Sequence, residues 1–185
     1  EYHGHERDAA AVAAAILLEA VGTGRDLDSD AARLGGGGRD GRITGVQRLA
    51  TRLRTLEGEP PPVIGVPAVS EEEIRDLALM NELDVLAKFQ IISMVTLDDA
   101  RALSAKTRPE KLAKAMSLFA PVRQAAAAAP MASLLKNAKF IQRLQEVVSL
   151  MPGHLSARLL LQAANGKMSG RITPATSRQA ILKAI

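Results

Sequence analysis

At 185 residues, 47% of them hydrophobic and 2% aromatic, the chain can bury one substantial core, or a modest core plus an appended helical piece, built mainly from Ala, Leu, Val and Ile. The absence of Cys excludes disulfides, thiolate catalysis and cysteine-ligated zinc, and it fits a reducing, cytoplasmic setting. The net charge of +4 hides an asymmetry: residues 1–100 carry ten basic and eighteen acidic groups, whereas residues 101–185 set fourteen basic groups against Glu110 and Glu146 alone, which implies two halves that attract each other or a basic tail with an acidic partner.

Glu1 stands where Met would begin a complete chain, so a fragment, a processed product or an excised piece is expected. Glu6 and Asp8 occupy the region where a secretory leader is basic, which argues against a signal peptide. Asp8 is placed to cap a helix from Ala9 to about Val21, stopped by Gly22. That helix is apolar nearly all round, so burial on more than one side is expected. It is too short to span a bilayer, and it carries Glu19.

A flexible connection, Gly35-Gly36-Gly37-Gly38, leads to a short strand at Arg42-Ile43-Thr44. Val46, Leu49, Ala50, Leu53 and Leu56 recur at helical spacing, closed by Gly58. Pro60-Pro61-Pro62 is a stiff lead into a short buried strand, Val63-Ile64-Gly65-Val66. Ser70 and Glu73 have capping-box spacing for a helix through about Met80, Phe89 to Val95 reads as a strand, and Thr96 with Asp99 caps a helix reaching Leu103. Strands alternating with helices predict an α/β layer with parallel pairing.

The remainder reads as helices alone. Thr107 with Glu110 opens one toward Phe119, and Pro121 and Pro130 bracket an Ala-rich segment. Leu134, Ala138, Ile141, Leu144, Val148 and Met151 form a helical stripe, ended by Pro152-Gly153. Leu155 to Ala164 is a last long helix, and Ser177 to Ile185 a short terminal one. The expected domains are therefore an α/β part over residues 1–104 and a basic, all-α module of antiparallel hairpins over 105–185.

Several strings in the first part occur in an order that resembles the proteolytic domain of Lon-type serine–lysine proteases. Arg7-Asp8-Ala9-Ala10-Ala11-Val12, an apolar helix and Thr23-Gly24 stand where that family has a Gly-Pro-Ser-Ala-Gly turn, a helix and a Thr-Gly pair. Asp30-Ala31-Ala32, the glycines and Gly41-Arg42-Ile43 resemble its approach to a short strand, and Gly45 to Leu56 its lysine-bearing helix. Val63 to Pro67 with Glu71, Glu72 and Glu73 is similar to its strand, proline and acidic helix start, and Phe89 to Ala102 to its last strand and helix. The resemblance covers roughly residues 5–103; the strands that precede the family's serine turn have no counterpart, and the basic tail lies outside it. It implies a Lon-like layer of short strands and helices, truncated at its N-terminus.

The family's chemistry needs a hydroxyl nucleophile and a neighbouring amine that takes its proton. At the serine position stands Ala9, and at the lysine position Arg52, or Leu49 if the helix is shifted by one turn. A methyl group cannot attack, and a guanidinium stays protonated. The first Lys of the chain is Lys88, so no nearby register restores the pair. The resemblance therefore implies a degenerate proteolytic domain with a role in assembly, docking or regulation, no catalytic, cofactor or metal residues, and, as in ring-forming relatives, a homo-oligomer. The alternatives are a working peptidase whose active groups lie outside this chain, or a nucleic-acid-binding module built on the basic tail.

Other constellations are weighed against simpler readings. His3, His5 and Glu6 are metal-ligand types, but a terminal loop explains them without a distant partner. Gly35 to Gly38 lacks the Gly-Lys-Ser/Thr ending of a phosphate loop, so neither a metal nor a nucleotide is expected. The basic tail could meet nucleic-acid phosphates, but it lacks stacking aromatics and its cations are spread over several helices, so an acidic protein surface is the preferred partner. The stripe from Leu134 to Met151 is assigned to the module's own core rather than to a partner helix. His154 and Ser156 read as first-turn helix positions rather than as a catalytic pair.

Overall fold

The computed structural model describes residues 10–29, 31–38, 40–46, 48–54 and 63–168. The expectations for Asp8 and Ala9, for His3, His5 and Glu6, for the triple proline and for the terminal helix fall outside these residues. In chain order the elements are α1 (Ala11–Thr23), β1 (Ala31–Arg33), β2 (Gly36–Gly37), β3 (Ile43–Thr44), α2 (Leu49–Arg54), β4 (Val63–Pro67), a 3₁₀ turn (Ala68–Ser70), α3 (Glu71–Leu79), α4 (Leu83–Lys88), β5 (Gln90–Met94), α5 (Leu97–Ser104), α6 (Glu110–Ala128), α7 (Met131–Leu134), α8 (Ala138–Leu150) and α9 (Leu155–Ala164).

This is a mixed α/β fold on a small parallel sheet of order β1-β4-β5. All five residues of β4 are buried, as a central strand covered on both faces requires. Side-chain alternation splits the core in two. Ile64 and Val66, beside Ile91, face one cluster with α2, α3, α4, α6, α8 and α9, while Val63, Ile92 and Met94 face a second with α1, β3 and α5. Gly65 lies on the second face. A Cβ there would come within 2.5 Å of Met94 Sδ and 2.7 Å of Leu103 Cδ2, so the missing side chain lets α5 sit close to the sheet.

Several expectations are corrected. α1 runs on to Thr23 and ends at Gly24, whose φ of 64° is the left-handed conformation that glycine adopts without strain. It buries a single stripe, Val12, Ile16 and Ala20, rather than several sides. The four glycines are not a loose connection: Gly36 and Gly37 pair antiparallel with Thr44 and Ile43. Gly35 lacks the Cβ that would strike Ile43 and Val12, so the ribbon lies directly on α1. Ser70 ends a 3₁₀ turn at φ −98°, ψ 6°, outside the extended conformation of a capping residue, and its hydroxyl makes no cap bond. Glu73 instead accepts the Ala50 N–H at 3.1 Å, capping the first turn of α2 from a neighbouring helix. The box at Thr96 and Asp99 forms as expected.

The second half also departs in detail. α6 is one helix through Pro121, not two segments. Proline leaves the Ser117 carbonyl without its helical donor, at a residue that is exposed. Pro109, not Thr107, stands at its start. The buried stripe of α8 is Phe140, Leu144 and Val147, rotated from the expected one, with Ile141 and Val148 half-buried.

The larger core cluster crosses residue 105, packing Leu53, Ile74, Leu77 and Phe89 with Phe119, Val122, Leu144, Leu155 and Leu160. Charge follows the same course. Arg101 pairs with Glu19 at 2.7 Å, Lys106 with Asp26 at 3.2 Å, Arg108 with Asp28, and Arg158 with Glu71. The asymmetry read in the sequence is thus partly neutralised inside the molecule.

Candidate functional site

Ala9, set against a catalytic serine by the sequence resemblance, lies outside the described residues. The first turn of α1 rests on the glycine ribbon: the Val12 N–H donates to the Gly35 carbonyl at 3.1 Å. Arg52 sits in the second turn of α2, half-buried, while Leu49, Ala50 and Leu53 face the core. Leu49, the alternative lysine position, is fully buried.

His154 and Ser156 are brought to one place, but for a structural task. β5 is the edge of the sheet, and the start of α9 covers it. Ser156 Oγ donates to the Phe89 carbonyl at 2.7 Å and accepts the Ile91 N–H at 2.9 Å. The Ser93 N–H donates to the Gly153 carbonyl at 2.9 Å. The hydroxyl thus substitutes for a neighbouring strand's peptide group. His154 Nδ1 accepts the Ala157 N–H at 3.3 Å as the cap of α9, which assigns the proton to Nε2, 3.4 Å from Gln90 Oε1. Its ring lies 4.5 Å from that of Phe119. Fully buried, the imidazole is pushed down to about 3 by desolvation, so it is neutral at ordinary pH.

Three surface features of the described residues bear on function. The first is the free face of α1, where Leu17, Leu18 and Val21 are 54%, 75% and 83% exposed. With Ala14 they occupy positions i, i+3, i+4 and i+7 of a helix, the spacing by which helices engage partners. Beside it, a cleft of about 380 Å³ is lined by Glu19, Arg25, Asp26, Arg101 and Lys106, whose charges pair with one another. The second is a half-buried cluster in which Arg108 pairs with Asp28 and Arg33 Nη2 donates to the Asp28 carbonyl at 3.1 Å. Burial, with Arg108 nearby, holds the Arg33 guanidinium below its usual value despite Asp28. The third is a cleft between α4 and α6 containing Asp84, Lys88 and Arg123. Sequence reasoning missed it, because α4 was not expected and Pro121 was read as a helix end; the spacing of Arg123, Ala126 and Ala127 on one helical face was the available signal.

No family model matches this chain, and no curated protein matches it. Among the described residues, no helix is long and apolar enough to cross a membrane.

Proposed function

We propose that the chain is a catalytically degenerate Lon-type proteolytic domain that acts by docking and assembly instead of peptide cleavage. The order of an apolar helix, a short ribbon, a helix, a parallel strand, an acidic helix and a second parallel strand supports this reading. So do the residues at the two catalytic positions, Ala9 and Arg52. The single observation that carries the docking role is the free face of α1, where three of the five exposed large hydrophobic side chains among the described residues, Leu17, Leu18 and Val21, share one helical stripe, the pattern of a protein contact. Lys111, Lys114, Lys139 and Arg143, on helices of the second half, and Lys136, in the turn between α7 and α8, are exposed and supply a surface for an acidic partner.

The test has two arms on the purified protein. A serine-directed covalent probe and an unfolded-protein substrate are expected to show neither labelling nor cleavage; specific labelling or turnover overturns the degenerate reading in favour of a working peptidase. Sedimentation analysis is expected to show self-association that Leu18→Asp with Val21→Asp removes. Unchanged sedimentation of that variant rejects α1 as an assembly face.

A further inference from the structure

The cleft between α4 and the C-terminal half of α6 encloses about 320 Å³ and is lined by Asp84, Lys88, Arg123, Ala126 and Ala127. That volume is at the small end for ligand sites. Arg123 is held in position: its Nε donates to the Lys88 carbonyl at 2.9 Å, which fixes one edge of the guanidinium and leaves the other for a ligand. Partial burial draws this group below its ordinary pKa, yet it forms no ion pair with any described residue. Lys88, on the neighbouring helix, is steadied by the Phe89 ring, 5.3 Å from its Nζ, and is also without an ion pair among the described residues. Asp84 lies one turn before Lys88 on α4, and its carboxylate is not consumed by either cation at 4 Å. Two methyl groups, of Ala126 and Ala127, complete the wall.

We propose that this cleft binds a free α-amino acid with a short apolar side chain. The planar guanidinium of Arg123 receives the carboxylate in the two-point geometry that arginine favours, and Lys88 adds a second cation. Asp84 receives the ammonium. The side chain lies on the alanine methyls. A phosphate does not match, because Asp84 repels it and the apolar wall gains nothing; a cationic amine alone meets two like charges. The inference is independent of the family resemblance, since none of these residues belongs to the matched catalytic positions.

The experiment is a titration of the full-length, isotope-labelled chain with L-valine, followed by backbone amide NMR. Valine is expected to shift the amides of residues 84–88 and 123–127 saturably. N-acetyl-valine and valine methyl ester, which remove one charge each, are expected to bind about tenfold more weakly, the effect of one lost charged hydrogen-bond set. Arg123→Gln is expected to weaken valine by a similar factor, and Asp84→Asn to erase the preference for valine over its N-acetyl form. Should the Gln variant fail to fold, Arg123→Lys keeps the charge but not the fork and is expected to weaken binding as well. The proposal is overturned by the absence of saturable shifts at these amides, by inorganic phosphate binding as tightly as valine, or by unchanged affinity in both Arg123 variants.

Discussion

Ser156 holds a main-chain donor of β5, the Ile91 N–H, and the acceptor just before it, the Phe89 carbonyl, at once, so its removal strands two buried polar groups rather than one. Ser156→Ala is expected to lose about 2–4 kcal/mol, measured by urea unfolding, because an orphaned buried group costs roughly 1–3 kcal/mol. His154 gives a pH signature. Its folded pKa of about 3 lies below the unfolded value of 6.5, so the unfolded chain binds a proton that the folded chain refuses. Stability contributed by the neutral ring is complete above 6.5 and falls as pH drops toward 3, by up to about 1.4 kcal/mol per pH unit. His154→Asn, which retains a capping acceptor, is expected to flatten that part of the stability–pH curve; an unchanged slope assigns the acid sensitivity elsewhere. Residue-scale roles of this kind were only half visible in the sequence. The helix-start positions of His154 and Ser156 could be read, but the strand they serve lies about 65 positions away and leaves no local trace.

Among the elements, legibility followed how much of each was decided locally. β4 has a continuous buried apolar run, and α5 has both members of its capping box in sequence order, so each was predictable. β1 is Ala-Ala-Arg, with no strand propensity of its own, and is a strand because β4 lies beside it. Glu73 has the right spacing for a cap and caps the wrong helix, a choice made by tertiary packing. Pro121 is the informative failure: an interior proline normally ends a helix, but here packing of Phe119 and Val122 on the core holds both sides together. Pro121→Ala is therefore expected to stabilise the protein by about 1–3 kcal/mol in urea unfolding, restoring a helical hydrogen bond and relieving a clash. A destabilised variant indicates that the proline fits a bend the core requires. The same misreading concealed the α4–α6 cleft, since its alanine wall lies beyond Pro121.

For the whole molecule, the shared core makes the two halves one cooperative unit. Far-ultraviolet circular dichroism and tyrosine-independent probes such as amide exchange are expected to report a single unfolding midpoint, and a chain cut after Ser104 is expected to lose fixed tertiary structure, because Leu53, Ile74 and Phe89 would face water. Two separate transitions, or a well-ordered fragment of residues 1–104, defeat this expectation. The charge asymmetry was legible in composition, but which groups meet was not: pairing of Asp28 with Arg108 depends on the connection after α5, and of Glu71 with Arg158 on α9 returning to the sheet.

The covering of β5 by α9 also sets an order of events during synthesis. Phe89 and Ile91 leave the ribosome before Ser156 does, so for more than sixty codons the Phe89 carbonyl and the Ile91 N–H lack the hydroxyl that pairs them in the complete fold. Ribosome-bound chains that stop before Ser156 are expected to keep those amides open to hydrogen exchange, and chains in which Ser156 has cleared the exit tunnel to protect them.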